Sequence, residues 1–223
     1  MQSSPLASTV VFRLGPMHIT QPVLTTWVLM ALLSVAAWYA TSRLAPRSPR
    51  CQAALEMLVE GMAQQIRDVM RCDPAPYLPL LGTLFLFLVT ANLCGIVPGV
   101  QSPTARIETP AVLALIVFCA VHYYGVRTQG LGGYLRSFAQ PKIFMLPLNL
   151  VSGVTRTFSL MVRLFGNVMS GEFILAMVVA LAGLLVPIPF MALELLVGVI
   201  QAYIFAVLAT VFIGAAIGGG EGG

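Results

Sequence analysis

Between residues 143 and 218 the chain carries four charged side chains, Arg156, Arg163, Glu172 and Glu194. A run so long and so apolar has few ways to fold. Typical soluble domains are about 25% charged, whereas this chain of 223 residues is 9% charged and 58% hydrophobic. The bilayer, rather than water, is therefore its solvent. There the backbone amides must be satisfied within each segment, so an apolar chain crosses as helices of ~20 residues. The net charge of +4 then belongs to loops and not to a nucleic-acid surface, and no basic patch interleaved with aromatics is present.

The spacing predicts an all-α, polytopic membrane protein that forms a single unit over residues 1–223. It has about five transmembrane helices, one amphipathic surface helix, and two long, tilted helices at the end. Residues 23–40 make the first span, followed at once by Arg43, Arg47 and Arg50. The stretch 51–71 differs in kind. Leu55, Leu58, Val59, Met62, Ile66, Val69 and Met70 recur at helical spacing, while Glu56, Glu60, Gln64, Arg67, Asp68 and Arg71 take the other face. That is the pattern of a helix lying along a membrane surface. CDPAP, residues 72–76, breaks it. Spans at about 78–97 and 110–126 follow, joined by PGVQSPTARIET, and then a polar loop with Arg127, Arg136 and Lys142. The last apolar segments run about 143–181 and 190–217, separated by GLLVPIP and closed by GGGEGG. The first is too long for a perpendicular crossing, so it is tilted or broken.

Basic residues orient such a chain, because they accumulate on the cytoplasmic side. Eight of the twelve, Arg43, Arg47, Arg50, Arg67, Arg71, Arg127, Arg136 and Lys142, fall in two segments on one side, and Arg13 and Arg106 on the other. The N-terminus is expected outside and the C-terminus in the cytoplasm. The start, MQSSPLASTVVF, lacks the basic n-region of a signal peptide. Cys51, Cys72, Cys94 and Cys119 form no CxxC pair and read as small buried hydrophobes. His18 and His122 are isolated, so neither a metal nor a cofactor is expected.

The charges inside the apolar segments carry the chemistry. One charged side chain at mid-membrane costs at least ~2.5–3.5 kcal/mol, so such residues mark ion pathways by default. At ~100° per residue, Arg156, Arg163, Ser170 and Asn167 of 159-SLMVRLFGNVMSGE-172 and its upstream turn share one helix face, and Glu172 points away from it. On the last helix, Glu194 and Gln201 share a face with Gly198 between them. Folded as an antiparallel hairpin, one register aligns Arg163 with Gln201 and Glu172 with Glu194, near Ala182 and Gly183. Arg163 then faces a neutral amide and needs a carboxylate from elsewhere. The plainer alternative pairs Arg163 with Glu172 or Glu194 as a staple between helices. A guanidinium is effectively never deprotonated, so Arg163 does not pass protons on. It holds a partner carboxylate ionised and repels cations, whereas Glu172 and Glu194 can carry protons.

With these residues the sequence resembles the a subunit of F-type ATP synthase. The likeness lies in 160-LMVRLFGNVMSGE-172 and 200-IQAYIFAVL-208, and upstream in 54-ALEMLVEGMAQQIRD-68 and 91-ANLCGIVP-98. The resemblance implies two long tilted helices wrapped around a rotating ring of c subunits, with Arg163 opposing the ring carboxylate. It implies that Asn167, Ser170, Glu172, Glu194 and Gln201 line or flank two ion half-channels. The implied partners are the c ring, the b-subunit stalk, the remaining synthase subunits and the lipid bilayer, in the inner membrane. The subunit would be non-catalytic, since no GxxxxGK[ST] loop exists to hold a nucleotide. Three features depart from the family pattern: Glu172 and Glu194 are both acids where a glutamate and a histidine are common, Gly95 replaces a frequent aspartate, and Arg106 stands in an often acidic loop. A secondary transporter is the rival reading, but no inverted repeat is evident. A purely structural scaffold is the other.

Overall fold

The computed structural model describes residues 10–14, 17–42, 50–95, 102–139, 145–183 and 186–218. Arg43, Arg47, Lys142, residues 98–101 of the joining loop and the terminal stretch from residue 219 lie outside the described residues, as do the side chains of Arg13, His18, Arg50, Cys51 and Leu55. Six helices follow one another: α1 (Gln21–Ser42), α2 (Arg50–Met70), α3 (Leu78–Cys94), α4 (Glu108–Ala139), α5 (Met145–Ala182) and α6 (Pro187–Gly218). Glu108–Arg136, Pro147–Leu181 and Pro187–Gly218 are long and apolar enough to cross a bilayer, and shorter apolar helices at Val23–Trp38 and Leu78–Cys94 complete five segments. The fold is thus the all-α membrane bundle that the apolar runs predict. At 1.5 Å per residue α5 is about 57 Å long, nearly twice the ~30 Å hydrocarbon core, so it crosses only with strong tilt.

Two differences have physical causes. An antiparallel hairpin, β1 (Val10–Leu14) with β2 (Met17–Thr20), precedes α1 where no element was expected. Strands of four and five residues offer too few alternations to read as a period of two, although VVF favours extended backbone. Further on, Arg127 and Arg136 sit on helix and not in a loop. The backbone breaks at Gly130, with φ 73° and ψ 163°, and then resumes its helix to Ala139. Only glycine visits that region freely. The bend turns Tyr134 back onto Gly125, where a side chain would collide with its ring.

α2 is amphipathic as expected, but part of its apolar stripe is received by the bundle. Met62 and Ile66 join the core shared by α3 and α6, and Met70 closes over Gly214. Met57, Val59 and Val69 remain exposed. On the polar face Arg67 pairs with Glu60 at 3.1 Å. Both are exposed, so the pair contributes no more than ~1 kcal/mol and serves mainly to keep that face wet.

α6 is the spine. Gly198, Ala202, Ala206 and Thr210, four residues apart, are all buried. Small residues at that spacing let helix backbones approach closely in a membrane, where no hydrophobic force drives helices together. Leu81, Leu84, Leu88 and Ala91 of α3 fill the space so created. The Thr210 hydroxyl donates to its own helix at the Ala206 carbonyl, 2.8 Å away, so it presents no unmet polar group. At the far end Gln129 Nε2 of α4 donates to the carbonyls of Ala216 (2.9 Å) and Ile217 (3.2 Å), capping the last turn of α6. Tyr124 ties α4 to the 71–77 connection through a hydrogen bond to the Pro76 carbonyl, 3.0 Å. Cys72 and Cys94 are free and half-buried. Cys119 corrects the expectation of a buried thiol: it is exposed on α4, since an apolar neighbourhood in sequence does not decide which face of a helix is covered.

Candidate functional site

α5, which ends at Ala182, and α6, which starts at Pro187, run antiparallel. Their register is fixed where Glu194 crosses Gly171: a Cβ added at Gly171 would lie 2.6 Å from a Glu194 carboxylate oxygen. The midpoint of that crossing falls between residues 182 and 183, matching the register expected for Glu172 and Glu194.

The polar side chains sort into separate cavities. Arg163 is exposed and lines a cleft of about 360 Å³ with Ser152, Thr155, Arg156, Ser159 and Phe212. Arg156, two turns away on the same face, lies over the Phe212 ring with its guanidinium carbon 5.7 Å from the centroid. No acid lines this cleft. Among the described residues Arg163 makes no ion pair, so the staple with Glu172 or Glu194 is not what the chain forms.

Glu172 and Glu194 share a second cavity, of about 240 Å³, with Asn92, Ser102, Asn167 and Ser170. Glu172 also borders a third, of about 400 Å³, beside Arg106 and Glu108. It therefore stands between Glu194 in one cavity and Arg106 and Glu108 in the other. Asn167 and Ser170 line the cavity of the glutamates and not the cleft of Arg163. Asn167 is one turn and Ser170 two turns nearer the glutamates, and α6 covers that end of α5. Nine residues separate Arg163 from Glu172, a rise of about 13.5 Å.

Gln201 corrects a second expectation. It is 7% exposed and lines none of these three cavities, and no hydrogen bond joins it to Arg163. It lies among the buried residues of α6, beside Ala202 and Phe205.

Asn92, Ser102 and Thr104 were not singled out in the sequence. Asn92 Nδ2 donates to the Gly198 carbonyl at 2.8 Å, and its Oδ1 accepts from the Thr104 hydroxyl at 3.1 Å. The Ser102 and Thr104 hydroxyls are 2.8 Å apart. The signal that could have found Asn92 is an amide inside an apolar span, since such a group is costly to bury without partners.

These features define a class: a polytopic helical membrane protein that keeps a fixed cation and a pair of carboxylates apart on its last two helices. A family model described as ATP synthase A chain matches residues 23–214. A protein named ATP synthase subunit a 2, from a Bradyrhizobium species, is 66% identical over 98% of this chain and 98% of its own length. Similar proteins from Picosynechococcus (48% identical, 86% of this chain, 83% of that protein) and Albidiferax ferrireducens (44%, 92% and 90%) carry the names ATP synthase subunit a 2 and ATP synthase subunit a. The chain belongs to the ATP synthase A chain family.

Proposed function

We propose that the protein is the stator a subunit in the membrane sector of a rotary F-type ATP synthase, forming one domain over residues 1–223. The carrying observation is that Arg163 is exposed beside a cleft without an acid, unpaired among the described residues. A permanent cation in a membrane span is stable only with a counter-charge or water near it. In this reading the counter-charge is a carboxylate of the c ring, brought past by rotation.

The ion arrives through the half-channel where Glu172 and Glu194 face each other, and Asn167 and Ser170 add hydrogen-bonding groups there. It neutralises a ring carboxylate, which can then face lipid because a neutral acid is far cheaper to desolvate than an anion. After nearly a full turn the carboxyl reaches the second half-channel, along the Ser152–Ser159 cleft, and discharges near Arg163. Gln201 flanks the pathway from its buried position on α6. Each charge that crosses 100 mV supplies ~2.3 kcal/mol, so several ions turn the ring for each ATP made by other subunits. The coupling ion is the proton, with sodium as the variant that ring chemistry would select. The subunit sits in the inner membrane, N-terminus outside and C-terminus in the cytoplasm, and contacts the c ring, the b stalk and the remaining subunits.

The test is Arg163→Ala in the assembled complex. Proton-driven ATP synthesis is expected to vanish while the complex still assembles. Undiminished synthesis would remove Arg163 from the mechanism.

A further inference from the structure

Asn92 is the sole side-chain amide on α3, and both of its polar ends are engaged. The Gly198 carbonyl can only accept, so it must receive the Nδ2 hydrogen, which leaves Oδ1 for the Thr104 hydroxyl. Ser102 backs Thr104, and its own hydroxyl lies 3.3 Å from the Ala91 carbonyl. Ser102 and Thr104 are both buried, so the amide is aimed at α6 by a fixed relay. The approach is close. A Cβ added at Gly198 would lie 3.0 Å from Asn92 Cβ and 3.4 Å from its Cγ. A side chain there would press on Asn92 and push the amide back.

Gly198 lies one helical turn beyond Glu194 and just under one turn before Gln201, so all three project from one side of α6. Turning α6 about its axis would break the Asn92 bond and leave a desolvated amide beside an apolar helix, which is unfavourable. We propose that Asn92 is a positioning residue: its hydrogen bond to the Gly198 carbonyl sets the rotation of α6 that lays Glu194 over Gly171 and turns Gln201 inward. This inference rests on the reading of Glu194 and Gln201 as ion-pathway residues. It assigns no ion contact to Asn92 itself.

Two measurements on the assembled complex test it. The first reads rotation directly. In a chain whose four cysteines are replaced by serine, Gly171→Cys and Glu194→Cys place thiols where the helices touch. Asn92→Leu is expected to cut their oxidative cross-linking by about fivefold to tenfold, the size of one hydrogen bond. Undiminished cross-linking overturns the proposal. The second uses Asn92→Asp, which keeps the shape of the residue if Asn92→Leu does not assemble. A carboxylate cannot donate to the Gly198 carbonyl, but a protonated carboxyl can. ATP-driven proton pumping by Asn92→Asp, divided by wild type at each pH, should therefore rise as pH falls, while the Asn92→Leu ratio stays flat. The ionisable groups that line or border this cavity are Glu172 and Glu194, with Arg106 and Glu108 beyond Glu172; they are present in the wild type as well, so the ratio removes them. A flat Asn92→Asp ratio overturns the proposal. Arg163→Ala separates the two levels: if it abolishes synthesis while both Asn92 tests fail, only the positioning role falls.

Discussion

Replacing Glu172 by glutamine tests how far apart the cation and the carboxylates are in energy as well as in space. Along α5 Glu172 is nine residues from Arg163, about 13.5 Å of rise. At an effective dielectric constant of about 20, two unit charges at that distance interact by about 1.2 kcal/mol. That corresponds to roughly a fivefold to tenfold change in a rate or population. Contact at about 4 Å would be worth about 4 kcal/mol in the same medium, nearly a thousandfold. Glu194 remains in the same cavity to take up a proton when Glu172 cannot. Glu172→Gln is therefore expected to lower proton flux by roughly fivefold to tenfold without stopping it, read as ATP-driven acidification of inverted membrane vesicles. A complete loss with normal assembly, equal to that of Arg163→Ala, would refute the separation of the two sites.

Three further outcomes follow from the packing. Ala206→Leu inserts bulk into the fully buried seam between α6 and α3, and overpacking of this kind costs ~1–3 kcal/mol; the heat-stable fraction of folded subunit in detergent should fall, and an unchanged fraction would mean the seam is loose. Gly130→Ala forces a side chain into a backbone with φ 73° at a cost of about 1–2 kcal/mol, so protease nicking near the α4 bend should increase. Burial, with the Asp73 charge second, pushes the Cys72 thiol above its ordinary range. Its thiolate is therefore scarcer than that of a free thiol at neutral pH and appears only at more alkaline pH, so maleimide labelling of Cys72 should lag behind a model thiol at pH 7 and gain on it as pH rises.

Much of this architecture can be read from residue order because the bilayer simplifies the problem. Apolar runs place α1, α3, α5 and α6 within a few residues and the start of α4, whose helix continues to Ala139 past its expected end near 126, and the periodicity from Leu58 to Met70 marks α2. The seven-residue step from Glu194 to Gln201 and the nine-residue step from Arg163 to Glu172 suffice to separate the cation from the acids. What stays hidden depends on side chains that meet from distant parts of the chain. Asn92 reaches Gly198 across 106 positions, and nothing local announces that bond. Asn167 and Ser170 lie on the expected helix, yet the helix that covers them decides which cavity they enter. Gln201 lies among the buried residues of α6, a packing effect and not one of periodicity. The bend at Gly130 escapes because a single glycine inside a helical pattern is often tolerated.

The central claim is that Arg163 stays unpaired within its own polypeptide and meets its counter-charge on a neighbour. A high-resolution density map of the whole complex in a lipid membrane tests this most directly. The account predicts a carboxylate of a ring subunit within about 4–6 Å of the Arg163 guanidinium, the range over which opposite charges stabilise each other's ionised forms, with Glu172 and Glu194 remote from it. A guanidinium bonded to Glu172 or Glu194, with no other chain beside it, would contradict the account.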